Sequence, residues 1–273
     1  MLQAKSDDGT KLHVTVKGEG PDVVLIHGWP LSHAMWHRQQ TSLAAAGFRV
    51  IAYDRRGFGQ SDKPDGGYDY DTLSDDLSAV LDAVDARRTA LVGFSMGGGE
   101  VARYMSRHKG ERVVRAALVS AVTPFLLQDE SNPSGVPQEQ FESMKSGIRD
   151  DRSGFFREFG KQFYGQDSDA GGVSDEVLEE THRVAMSASE RATLDCIDAF
   201  ATTDFRPDMA AFGIATLIVH GTGDAIVPIE TSADKAVESI ENARIERYEG
   251  APHGLMATHA ERLGDDLRQF LLG

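Results

Sequence analysis

A chain of 273 residues, 40% hydrophobic and 26% charged, has the make-up of a soluble globular protein able to bury a large core. Its formal charge of −15, from 43 acidic against 28 basic residues, argues against a nucleic-acid partner, which needs a positive footprint. The single cysteine, Cys196, excludes an intrachain disulfide; with no leader-like start and no run of membrane-spanning length, the expectation is a cytoplasmic protein without a membrane partner.

Asp8-Gly9 supplies the turn of a hairpin between Leu2–Lys5 and 11–16. Strand and helix patterns then alternate, with strands over 23–27, 49–53, 88–94, 115–121, 215–220 and 243–248. Helices are predicted over 34–46, 72–86, 96–108, 229–240 and 259–272. This is an α/β pattern: a mostly parallel eight-stranded sheet, helices on both faces, and reactive loops at the carboxyl ends of the strands. Alternation fails between about Pro124 and Pro207, where Gly, Pro and polar residues mix with helical stretches at 177–188 and 192–201. The expected organisation is a core in two parts, 1–123 and 208–273, interrupted by a helical cap over 124–207.

Gly93-Phe94-Ser95-Met96-Gly97 follows the apolar run Thr89-Ala90-Leu91-Val92 and opens a helical segment. A strand turning sharply into a helix through serine lifts the hydroxyl above the sheet, and flanking glycines give the backbones room to approach. Taken alone the pattern also describes a Gly-Ser turn before an ordinary helix. Two further segments favour a nucleophile. Val23-Val24-Leu25-Ile26 runs into His27-Gly28-Trp29-Pro30, so the Trp29 and Met96 N–H groups become the two donors of an oxyanion hole. Near the C-terminus, Asp224 and His253 each follow a predicted strand, giving the chain order Ser95, Asp224, His253: nucleophile, acid, base.

These segments, with Tyr53-Asp54-Arg55-Arg56-Gly57-Phe58-Gly59-Gln60-Ser61-Asp62, the Gly97-Gly98-Gly99-Glu100 continuation, Asp204-Phe205-Arg206-Pro207-Asp208-Met209 and Ala251-Pro252-His253-Gly254, resemble the cofactor-free haloperoxidase, perhydrolase and arylesterase group of the α/β-hydrolase superfamily. The resemblance covers nearly the whole chain. It implies the α/β-hydrolase fold, a serine esterase working through an acyl-enzyme, and no cofactor or metal. With hydrogen peroxide in place of water the product is a peracid, which oxidises halide in solution. It also implies a homo-oligomer. The partners are then a small ester, hydrogen peroxide and a carboxylic acid. An amidase or γ-lactamase using the same triad on a small cyclic amide stays open, as does a ligand-sensing protein that has kept a hydrolase pocket.

Pro30 restricts Trp29 to extended backbone and so constrains its carbonyl beside the oxyanion donors, where it is expected to accept a hydrogen bond from peroxide. The pocket is expected to be lined by Trp29, Pro30, Phe125, Leu126, Phe159, Phe163, Ile226, Val227 and Leu255, by their positions in the cap or beside triad loops. Other chemically suggestive residues have structural readings. His27 and His220 end strands and hydrogen-bond beneath the loops, Asp54, Arg55 and Arg56 brace loops, and Glu100 supports the elbow helix. Asp54 is the rival to Asp224 for the acid role. His33 and His37 lack a third ligand for zinc, Gly57-Phe58-Gly59 opens no dinucleotide-binding helix, and Cys196 is a packing residue.

Overall fold

The structure, a computed structural model, describes residues 2–273. Eight strands form one sheet: β1 (Leu2–Lys5), β2 (Lys11–Lys17), β3 (Asp22–Ile26), β4 (Arg49–Tyr53), β5 (Thr89–Phe94), β6 (Val113–Val119), β7 (Thr216–Gly221) and β8 (Ala243–Tyr248). Their spatial order is β1-β2-β4-β3-β5-β6-β7-β8. β2 pairs antiparallel with β1 and β4, and all other pairings are parallel. The registers Ile26 to Gly93, Phe94 to Val119 and Gly221 to Tyr248 bring the carboxyl ends of the central strands to one edge of the sheet.

The continuous apolar runs of β3 and β5 fit strands covered on both faces. Alternate residues serve opposite cores. Val24, Ile26 and Leu91 pack with Leu73 and Leu77 of α2 (Tyr70–Ala83) and Val101 of α3 (Met96–Arg107). Val23, Leu25 and Val92 pack with Leu43 of α1 (His37–Ala45). Leu263 and Leu267, on the C-terminal helix over Ala260–Leu272, complete that second core. Each such side chain, fully buried, contributes about 1.5–3 kcal/mol.

Between β6 and β7 the chain forms α4 (Gln138–Phe163), α5 (Asp175–Ser187), α6 (Glu190–Thr202) and the short α7 (Arg206–Met209). The sequence reading located α5 and α6 but gave no helix over α4, whose 26 residues are interrupted at Asp151 (φ −148°, ψ 84°). The Asp151 carboxylate accepts from the Gly154 N–H at 2.9 Å, so it ends one helical run and caps the next. That Asp and the internal glycines erased the periodicity.

Other boundaries moved for local reasons. α2 starts before the expected position 72 because Asp69 accepts from the Thr72 N–H at 2.9 Å and caps the helix. The helix expected over 229–240 is a 3-10 turn at Ile229–Thr231 followed by α8 (Ala233–Ser239), separated by non-helical Ser232. The helix expected over 259–272 is preceded by a separate turn, α9 (Leu255–Thr258), and the long helix α10 (Ala260–Leu272) begins after His259. The first 3-10 turn, His33–Trp36, likewise precedes α1. No helix among the described residues is long and apolar enough to cross a membrane.

The junction of α3 with β3 leaves no room for a side chain at Gly97. A Cβ added at Gly97 would lie 2.6 Å from the Ile26 carbonyl oxygen and 2.9 Å from that of His27. Gly97→Ala is therefore expected to lower the unfolding free energy by about 1–3 kcal/mol. At Gly213 an added Cβ meets nothing within 4 Å, so Gly213→Ala is the matched control, expected to stay within about 0.5 kcal/mol of the parent in urea unfolding.

Candidate active site

The apolar strand β5 ends at Phe94, and α3 begins at Met96. Ser95 between them has φ 53° and ψ −119°, a conformation that costs a non-glycine residue of order 1–3 kcal/mol. Its surroundings hold it there: the Ser95 N–H donates to the Val119 carbonyl at 2.9 Å, and its own carbonyl accepts from Gly98 at 2.9 Å. The Tyr70 hydroxyl donates to the Met96 carbonyl at 3.1 Å, fixing the first turn of α3.

His253 follows β8 in the Ala251-Pro252-His253-Gly254 loop. Its ring packs against Phe94 and Phe163, with centroids 4.8 and 5.0 Å away. The Gly254 N–H donates to the Phe163 carbonyl at 2.8 Å, tying this loop to the end of α4. His253 Nε2 lies 3.0 Å from Ser95 Oγ, and Nδ1 lies 2.6 Å from Asp224 Oδ2. A carboxylate only accepts, so Nδ1 carries the proton and Nε2 presents its lone pair to the serine hydroxyl.

Asp224 sits in the loop after β7. Its Oδ1 accepts from the N–H groups of Ile226 and Val227 at 2.9 and 2.8 Å. His220 Nε2 donates to the Val227 carbonyl at 2.8 Å and lies 3.3 Å from Asp224 Oδ2, clamping the loop to its strand. Burial alone raises the pKa of Asp224, but the His253 imidazole and the hydrogen bonds from His220 and His253 outweigh it and hold the carboxyl far below the usual range. Asp54, the rival acid, faces elsewhere: it accepts from the His33 N–H and Nδ1 at 2.8 and 2.7 Å and from the Gln60 N–H at 2.8 Å.

Neither the Trp29 N–H nor the Met96 N–H has an acceptor among the described residues. The indole of Trp29 is fixed by donation from Nε1 to the Thr193 carbonyl at 3.0 Å. Phe159, Phe156 and Phe200 surround it at 5.2, 5.8 and 5.9 Å. A cavity of about 350 Å³ opens over Ser95 and His253.

Of the expected pocket residues, Trp29, Leu126, Phe159, Ile226 and Val227 line this cavity. Pro30, Phe125, Phe163 and Leu255 do not. Phe125 packs beneath the Arg206 guanidinium at 4.8 Å, Phe163 is spent on His253 and Phe94, Leu255 is fully buried in the second core, and Pro30 is buried in the turn after β3. The wall missed from sequence comes mainly from the unforeseen α4: Phe141 and Met144, three residues apart, and Phe155, four residues before the expected Phe159. That spacing was the available signal.

The residues read as structural form hydrogen-bonded braces. His27 Nε2 accepts the Arg55 N–H at 3.0 Å, so its Nδ1–H donates to the Gly28 carbonyl at 2.9 Å. Burial, aided by the Arg55 charge, pushes the His27 pKa down to about 3. Arg56 pairs with buried Asp76 at 2.6 Å, and burial pushes the Cys196 thiol up to about 12. His33 does have neighbours the sequence did not reveal: donor atoms of His13, His33 and Asp54 lie within 4.8 Å of one another, and His37 is not among them. Both Asp54 oxygens already accept hydrogen bonds there from the loops after β3 and β4, and the Asp54 N–H donates to the His13 carbonyl of β2 at 2.9 Å.

A family model described as the alpha/beta hydrolase fold matches residues 21–260. A non-heme chloroperoxidase from Kitasatospora aureofaciens is 39% identical over 266 residues, covering 97% of each chain. A bifunctional esterase/perhydrolase from Acinetobacter calcoaceticus is 37% identical, over 93% of this chain and 92% of its own. The crystal structure of a bromoperoxidase from Bacillus anthracis superposes with a TM-score of 0.95 at 44% identity, covering 99% of each chain.

Asp224→Asn is expected to keep the fold and lower kcat on an aryl ester by about three to four orders of magnitude, because the amide no longer enforces the productive imidazole tautomer. A second expectation concerns acid stability. His27 binds a proton in the unfolded chain near its ordinary pKa but, when folded, only at about 3, so its contribution is present above about pH 6.5 and is lost as pH falls towards 3. Urea midpoints measured from pH 7 to pH 5 should decline, and His27→Gln should flatten that decline by up to about 1.4 kcal/mol per pH unit.

Proposed function

The chain belongs to the alpha/beta hydrolase fold family, and we propose that Ser95, His253 and Asp224 are the working residues of a serine esterase with perhydrolase capacity. His253 Nε2 takes the Ser95 proton as Oγ attacks the ester carbonyl. Asp224 keeps the imidazole oriented and stabilises its cationic form. The Trp29 and Met96 N–H groups receive the oxyanion, each worth roughly 3–4 kcal/mol in comparable sites. The protonated His253 hands its proton to the departing alcohol, leaving acyl-Ser95.

Water activated by His253 releases the carboxylic acid. Hydrogen peroxide attacking in the same way releases a peracid, and transfer of its terminal oxygen to bromide or chloride returns the acid and forms hypohalite in solution. The Trp29 carbonyl accepts no hydrogen bond among the described residues, which supports its reading as an acceptor for peroxide. The observation that carries the whole reading is the Ser95 hydroxyl 3.0 Å from a histidine lone pair, at the base of an apolar cavity.

The parent protein and Ser95→Ala are compared on an aryl acetate, with and without hydrogen peroxide, following acetate and peracetate. Repeated turnover by the parent, peracetate only with peroxide, and loss of at least about 10³-fold in kcat in Ser95→Ala are expected. A single acylation with no turnover would favour the sensing reading, and full activity in Ser95→Ala would displace Ser95 as nucleophile.

A further inference from the structure

Beneath the elbow lies an ion pair that the chemistry above does not use. Arg55 Nε donates to Glu100 Oε2 at 2.9 Å, and neither side chain has any exposed surface. The pair is poorly compensated: Glu100 Oε1 is buried without a hydrogen-bond partner, and burial raises the Glu100 carboxyl well above its usual range while lowering Arg55. A buried pair of this kind is a weak source of stability, and well-packed apolar residues often serve as well or better. Its position is more informative than its strength.

Glu100 is one turn into α3, on the same segment as Met96. The Arg55 guanidinium extends from the loop after β4, and its Nη2 donates to the His27 carbonyl at 2.8 Å. The backbone of Arg55 holds the His27 ring as well, and that ring in turn donates to the Gly28 carbonyl. One cation therefore joins the helix that offers the Met96 N–H to the loop that offers the Trp29 N–H. Contacts on the opposite sense already exist. A Cβ at Gly97 would strike the Ile26 and His27 carbonyls, and one at Gly28 would lie 2.6 Å from the Phe94 ring. These contacts stop the two segments from approaching further, and the guanidinium stops them from separating.

We propose that Arg55, bridging Glu100 and the His27 carbonyl, is a positioning residue that sets the spacing of the two oxyanion donors. The inference rests on Trp29 and Met96 serving as those donors. Oxyanion stabilisation depends on donors placed at hydrogen-bond distance from where the charge develops, so a loosened bridge weakens the transition state while leaving ground-state binding of a neutral ester intact.

The test is the double variant Arg55→Met with Glu100→Leu, which removes both charges and keeps apolar volume. Expected are a melting temperature near the parent's, KM for an aryl acetate within about two-fold, and kcat lowered about ten-fold or more. Affinity for an aryl trifluoromethyl ketone should fall in parallel. That ketone reports on the hole directly: Oγ bonds to its carbonyl carbon, the serine proton moves to His253, and the carbonyl oxygen becomes the bound oxyanion. Arg55→Lys is the second variant, since a lysine reaches Glu100 but lacks the fork that also grips His27; it should keep stability and lose the same two quantities. If the double variant folds but does not bind the ketone less tightly, or if it fails to fold and Arg55→Lys retains full kcat and ketone affinity, the pair is only structural. Failure of the esterase reading itself would appear separately, as absence of ester turnover and ketone binding in the parent.

Discussion

The site depends on one close approach, that of the amino end of α3 to the carboxyl end of β3. Gly97 allows helix backbone to lie against the Ile26 and His27 carbonyls, and Gly93 allows the end of β5 to turn beneath it: a Cβ at Gly93 would sit 2.4 Å from the Gly97 carbonyl oxygen. With both strands and the helix this near, Ser95 has little choice but its positive φ, and the turn directs the hydroxyl towards His253. The same contact places the first N–H of the helix beside the loop after β3. The positions of the Ser95 hydroxyl and of the Trp29 and Met96 N–H groups are thus consequences of a single packing constraint.

Charge follows the same economy of place. The chain carries a formal charge of −15, yet its buried carboxylates are each met by donors. Asp224 collects two backbone N–H groups and two imidazoles, Asp76 takes a bidentate grip from Arg56, and Asp54 is held by two backbone N–H groups and His33. Glu100 and Asp208 each keep one oxygen unpaired, and Glu100 lies directly under the elbow. Buried polar groups without full compensation mark places where geometry has been favoured over stability.

Most of the sheet was legible because parallel strands covered on both faces read as short apolar runs, and β3, β5 and β7 are such runs ending in His-Gly or Gly-Phe-Ser. Ser95, Asp224 and His253 were legible for the related reason that each stands just beyond a strand end, where side chains converge. The cavity wall was less so. α4 carries its apolar residues on two helical runs broken at Asp151, so a single-period reading lost the phase and with it Phe141, Met144 and Phe155. Phe125 and Phe163 were misassigned because a place in the expected cap does not say which way a ring faces; one went to Arg206 and the other behind His253. The other two members of the His33 cluster, His13 and Asp54, came from β2 and the loop after β4, a proximity that only the folded sheet creates.

The shape of the cavity completes the argument about substrate. Its wall is mainly aromatic and aliphatic, with Gln140, Ser143 and Gln162 as neutral polar members, and the carboxylate along it, Glu158, already pairs with Lys161 at 2.8 Å. No lysine or arginine among the described residues lines it. A neutral ester gains by burying its apolar surface there, whereas a carboxylate formed beside Ser95 finds no cation to retain it and must either leave for water or be protonated. In the proposed reaction the oxyanion of the transition state differs from that product in one respect: it is assigned to the Trp29 and Met96 N–H groups, which have no acceptor among the described residues, and donors that meet only the transition state raise the rate.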